Sequence, residues 1–209
     1  TANYTYEGGI LNIKDNDWDY YLDYRKSQGF NTLQINILPQ WDASATDLCY
    51  EPFEVIDGKY NYKKLNLSYF EHADKMCARA KEKGFELALV IMWCNFVPDT
   101  WASQFYSKGI MPIDCIDNYI NIIHETFTKY EPLYIISGDT DFNTEQCIEY
   151  YVKCAKQIKE LAPNCLYTTH IKGRYTYIPD NLYSYLDLCF YQSGHNAQNL
   201  GMPYLLAEE

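Results

Sequence analysis

Apolar residues along the chain fall into two alternating patterns. Five short runs rich in Val, Ile, Leu, Phe and Tyr, at residues 30–38, 86–93, 133–137, 165–169 and 186–191, read as buried strands. Between most of them the apolar positions recur at intervals of three and four, the spacing of one helix face. Phe70, Ala73, Met76, Cys77 and Ala80 form one such face. Ile113, Ile116, Ile120, Ile123 and Phe127 form a second, and Ile148, Tyr151, Val152, Ala155, Ile158 and Ala162 a third. An earlier helix around residues 17–27 carries Trp18, Tyr21, Leu22 and Arg25 on one side and ends at Gly29. Ser68 and Glu71 have the spacing of a capping box, Gly84 supplies a stop, and Asn143 and Gln146 can cap the third helix.

Two junctions, "SQGFNTLQI" and "EKGFELALV", each end a helix in glycine and enter a strand through phenylalanine, as successive β/α units do. Strands this apolar, alternating with helices, imply an α/β fold whose parallel sheet is covered on both faces. No GxGxxG or GxxxxGK follows any strand, which disfavours an open nucleotide-binding sheet. The expectation is one domain over residues 1–209, a (β/α)8 TIM barrel of which five to six strands are present.

Barrels place their chemistry where strands end. Those ends carry Gln40, Trp41 and Asp42; Trp93 and Asn95; Gly138, Asp139 and Asp141; His170; and Gln192, Ser193, Gly194 and His195. The segments after the first two ends, residues 39–67 and 94–112, are long and aromatic, as functional loops often are.

Composition narrows the choice of partner. A formal net charge of −11, spread along the chain, repels a phosphate backbone, so nucleic acid is excluded. No apolar run reaches the roughly 18 residues of a membrane span. Eight cysteines lack CxxC spacing and mostly fall in periodic apolar segments. They read as reduced core thiols, which leans the compartment toward the cytoplasm.

A carboxyl group at the end of an apolar strand has its acid form favoured by desolvation and can then donate a proton. Glycosidic bond cleavage needs such a donor together with a second carboxylate. Asp139 suits the donor role, with Gly138 admitting close approach of a ligand. Trp41 and Trp93 offer apolar faces to a sugar ring, Gln40, Gln192 and His195 bind hydroxyls, and His170 shapes the pocket. Asp141, beside Phe142 and Asn143, reads first as structural and is retained as a substrate-binding candidate.

Plainer readings stand beside these. Gly-Asp after a strand is often a turn and helix cap, Trp93 can plug a barrel, and His170 can be a satisfied buried residue. His72 and His124 belong to helix faces. Asp139, Asp141, His170 and His195 converging on one metal ion is a further alternative, but compact signatures such as HExxH are missing, and neither metal nor cofactor is expected.

The segments "RKSQGFNTLQINILPQWD", "YIISGDTDF", "LYTTHIKG" and "FYQSGHNAQN" resemble, in this order, segments of the apiosidase-like glycoside hydrolases. That family consists of (β/α)8 barrels acting on side chains of plant polysaccharides. The resemblance implies that Asp139, after the fourth barrel strand, is the general acid/base. The nucleophile is implied to be a glutamate at the seventh strand, followed by proline and then a Tyr-Glu pair. The tail "NLGMPYLLAEE" departs from this pattern, having no Glu-Pro. It reads as the helix after the sixth strand, which places the nucleophile beyond residue 209. Thr1 to Gly9 likewise reads as the loop leaving a first strand, so the sequence is expected to be an interior portion of a longer polypeptide or to be completed by partner segments. The expected activity is retaining hydrolysis of a plant-type polysaccharide or oligosaccharide. A carbohydrate-binding barrel without catalysis is the second reading, a metal-dependent hydrolase the third.

Overall fold

The computed structural model describes residues 2–4, 15–41 and 51–192, with residues 2–4 as backbone alone. In chain order the elements are β1 (Ala2–Tyr4), α1 (Asp15–Ser27), β2 (Thr32–Asn36), β3 (Phe53–Ile56), β4 (Lys59–Leu65), α2 (Leu67–Glu82) and β5 (Glu86–Trp93). They continue with α3 (Ile116–Phe127), β6 (Leu133–Gly138), α4 (Glu145–Leu161), β7 (Leu166–Thr168) and α5 (Asp180–Tyr183).

Five strands form one sheet in the order β1-β2-β5-β6-β7, every pair parallel. The order never reverses, whereas a doubly wound sheet turns back at a switch point. Each strand of this sheet lies beside the one before it, as in a (β/α) barrel, and the chain forms part of one. β1 corrects the reading of residues 1–9 as a loop: Ala2, Asn3 and Tyr4 pair with Leu33, Gln34 and Ile35. Asp139 therefore follows the fourth strand of the sheet.

The expected strand at 186–191 is reduced to a single bridge between His170 and Phe190. Asp187 explains this, because its Oδ2 accepts the Tyr167 N–H at 2.9 Å, taking the donor that the next strand's carbonyl would use. Residues 39–67 hold more than a loop. They include the antiparallel hairpin β3–β4, whose turn residues Asp57 and Gly58 both have positive φ, +49° and +76°, the signature of a type I′ turn.

Helix starts also differ from expectation. α2 is preceded by Asn66, whose amide donates to the Glu51 carbonyl at 2.9 Å instead of capping, and Ser68 lies inside the helix, so no Ser68–Glu71 capping box forms. Thr144, and neither Asn143 nor Gln146, caps α4: its Oγ1 accepts from the Cys147 N–H at 3.2 Å. The glycine stops hold, Gly29 at φ +84° and Gly84 at φ +79°.

The core lies between sheet and helices. Leu33, Ile35, Leu87, Leu89, Ile91 and Ile136 from the strands meet Phe70, Met76, Ile120, Ile123, Tyr151 and Ile158 from the helices. The Trp18 indole pins α1 to α2 by donating to the Met76 carbonyl at 3.1 Å. All seven described cysteines are free thiols, six of them buried. Among the described residues, no helix is long and apolar enough to cross a membrane.

Candidate active site

β6 ends in Gly138, and the register sets Gly138 opposite Trp93. A Cβ on Gly138 would stand 2.1 Å from Trp93 Cε3, so glycine is required there by the indole lying across the strand end. That contact replaces the expected approach of a ligand to Gly138. Trp93 is only 7% exposed and meets the His170 ring edge-on at 5.6 Å, which makes it a wall of the site and not an open platform.

Directly after Gly138 the chain turns through Asp139 at φ +51°, the left-handed region. The half-buried side chain lies beside His170 and Gln192. Gln192 Nε2 donates to Asp139 Oδ1 at 2.5 Å and to the Ile171 carbonyl at 3.0 Å, so one amide ties the acid to the strand-end loop after β7. That loop is itself fixed. The Ser137 hydroxyl meets Thr169 Oγ1 and donates to the His170 carbonyl at 3.2 Å, and Lys172 N–H donates to the Thr140 carbonyl at 2.7 Å.

Burial pushes the Asp139 carboxyl above the usual carboxylate range. His170, the Gln192 amide and Lys172 pull it back, while Asp141 adds to the rise. Burial drives His170 the other way, below its ordinary value, with the Asp139 carboxylate and Gln192 opposing. The outcome is a carboxyl group biased toward its acid form beside an imidazole biased toward neutrality. Among the described residues His170 Nδ1, Trp93 Nε1 and Asp141 Oδ1 are buried without a hydrogen-bond partner.

Asp141 sits apart from this chemistry. It is 4% exposed, its Oδ2 pairs with Lys172 Nζ at 3.5 Å, and its Oδ1 is buried without a hydrogen-bond partner among the described residues. Gln40 is half-buried just beyond β2. Trp41, 36% exposed, packs edge-on against Trp101 at 5.7 Å and tilted against Phe105 at 5.5 Å. His195 lies outside the described residues. Among the described residues no three of His, Cys, Asp and Glu come together to hold a metal ion.

Two neighbours of the acid escape the sequence reading. Trp101 Nε1 donates to the Asp139 carbonyl at 2.7 Å, and Lys172 acts on both aspartates. Trp101 lies within the aromatic segment 94–112, which the sequence marks as a functional loop without singling out a residue. Lys172 is two positions past His170, where the bridge from Thr140 to Ile171 turns it toward Asp141.

Among solved structures, a glycoside hydrolase family 5 protein from Bacteroides vulgatus superposes with a TM-score of 0.67 at 22% identity, over 91% of this chain and 39% of its own. A protein described as a glycoside hydrolase gives 0.66 at 24%, over 90% and 41%. An exo-beta-1,4-mannosidase from Opitutaceae bacterium strain TAV5 gives 0.58 at 15%, over 91% and 37%. The chain thus spans about two fifths of the length of these structures, and the likeness establishes the barrel fold. No curated relative matches the sequence. The family model described as the apiosidase-like catalytic domain matches residues 8–208, nearly the whole chain, and the protein therefore belongs to the apiosidase-like catalytic-domain family.

Proposed function

We propose that the protein hydrolyses glycosidic bonds of a plant-type polysaccharide or oligosaccharide, with Asp139 as general acid/base. The observation that carries this reading is the Asp139 carboxyl itself: at the end of the fourth parallel strand, half-buried, and pushed toward its acid form by burial. A protonated carboxyl there can give its proton to the leaving glycosidic oxygen, and the resulting carboxylate can take one from water in the second half of the reaction. Gln192 holds Oδ1 and leaves Oδ2 to carry the proton. Neutral His170 contributes a ring nitrogen to a sugar hydroxyl without placing a cation against the acid. Trp93 closes the back of the site, and Trp41 presents an apolar face at its rim.

The reaction needs a second carboxylate. Asp141 is a poor choice, since Lys172 neutralises it in a buried position. The family resemblance assigns the role to a glutamate on a later strand, and a separation of about 5 to 5.5 Å from Asp139 would give retention of anomeric configuration.

The test is Asp139→Ala in the full-length protein, assayed on an unactivated oligosaccharide selected from a panel of pectic side-chain and other plant glycans. The expected result is a loss of roughly 10²- to 10⁴-fold in kcat with the circular dichroism spectrum unchanged. Near-normal turnover would overturn the assignment. Wild-type protein that binds the glycan and never cleaves it would make this a carbohydrate-binding barrel.

A further inference from the structure

We propose that Trp101 is a positioning residue for the acid: its indole N–H holds the Asp139 main chain in the left-handed turn that aims the carboxyl group at the site. The inference rests on the reading of Asp139 as the acid. It starts from a backbone that needs support, because a non-glycine residue at φ +51° is strained and persists only where its surroundings hold it. The flanking ladder does not fix this residue. Ser137 and Thr140 exchange backbone hydrogen bonds with His170 and Lys172, whereas the Asp139 carbonyl receives the Trp101 Nε1 hydrogen at 2.7 Å.

The donor stands on a rigid mount. Thr100 Oγ1 donates to the Cys94 carbonyl at 2.6 Å and lies 3.1 Å from that of Val97, Ser103 Oγ donates to the Thr100 carbonyl at 2.8 Å, and neighbouring Ala102 is wholly buried. A loop locked this way after β5 fixes a side chain well enough to set the orientation of another. The Trp101 ring also meets Trp41, with centroids 5.7 Å apart and planes at 82°, so the residue joins the aromatic rim to the acid. Were the chain to leave this left-handed turn, the Cα–Cβ bond of Asp139 would point elsewhere and take the carboxyl away from Gln192, and a small misplacement of a reacting group is costly in rate.

The experiment compares Trp101→Phe with the wild-type full-length protein on two substrates of the same sugar: the unactivated oligosaccharide, whose leaving oxygen needs protonation, and its 2,4-dinitrophenyl glycoside, whose leaving group does not. The expected result is a fall of about tenfold or more in kcat/KM on the oligosaccharide, equivalent to about 1.4 kcal/mol, with KM little changed. The dinitrophenyl glycoside should show less than about a threefold change in kcat/KM. Equal losses on both substrates, or none on either, would overturn the proposal. Asp139→Asn runs alongside: if it is inactive on the oligosaccharide while Trp101→Phe is normal, positioning fails and the acid survives, whereas an active Asp139→Asn removes the acid reading itself. Should Trp101→Phe not fold, 3-benzothienylalanine at position 101 keeps the shape of the indole without its N–H and must give the same split.

Discussion

Asp139 and His170 share one site, and burial acts on both by opposing charge: the carboxyl is pushed up and the imidazole down. The two shifts have opposite consequences for stability. The raised carboxyl means that folding prefers protonated Asp139, a contribution fully present below the unfolded value of about 3.9 and lost as pH rises through the folded value. The lowered imidazole means that folding prefers neutral His170, a contribution present above about 6.5 and lost as pH falls through its folded value. Asp139→Asn, which removes the buried charge and keeps the oxygen facing Gln192, is therefore expected to raise the melting temperature at neutral pH. Thermal unfolding between about pH 3 and pH 8 should show the gain shrink on acidification and vanish below about pH 3.9. No gain at neutral pH contradicts the assigned direction. Asp139 is legible in the sequence because an apolar strand running into a carboxylate is a local pattern. The reason for Gly138 is not, since its partner Trp93 is brought across by strand pairing, and Trp101 and Lys172 join the acid only through chain reversals that no local spacing encodes.

At the scale of elements, two contacts hold the acid's surroundings. Where β5 meets β6, Gly138→Ala forces its methyl group into the Trp93 ring, and overpacking of this kind costs about 1–3 kcal/mol. Chemical denaturation should show that loss in the midpoint, and activity should fall with it because Trp93 walls the site. At the start of α4, Thr144 both accepts from Cys147 N–H and donates to Asp99 Oδ2 at 2.9 Å. Thr144→Ala is expected to cost about 1 kcal/mol by the same measurement, and a cost below about 0.3 kcal/mol would argue against the cap. The long helices and their glycine stops are readable from periodicity, which is strong over four turns. Short features are not: β1 offers three residues, and the 186–191 run looks like a strand until Asp187 takes the ladder donor of Tyr167. The β3–β4 hairpin does carry a local signal, the turn dipeptide Asp57-Gly58 between Val55-Ile56 and the alternating Tyr60 and Tyr62, but its strands are too short and too polar to stand out from the surrounding loop.

The molecule as a whole is a run of parallel β/α units whose sheet order matches the chain order. Fold class is legible because the helix-to-strand junctions at Gly29 and Gly84 repeat one signal, while the proposed second carboxylate has no local pattern in the sequence and is implied by the family resemblance alone. Two expectations belong to this scale. Proton NMR of the first-formed product should show retained anomeric configuration, and inversion would place the carboxylates farther apart than proposed. Hydrolysis should survive exhaustive chelation, as a two-carboxylate reaction requires no ion, and loss of activity restored by metal would favour the metal-dependent alternative. The most direct test of the central claim is a site-resolved titration of the Asp139 side-chain carboxyl by carbon-13 NMR in the full-length protein. A midpoint above the ordinary value of about 3.9, matched by the limb of the pH–kcat/KM profile on which activity falls with rising pH, is the expected result. A midpoint at or below the ordinary value would contradict the account.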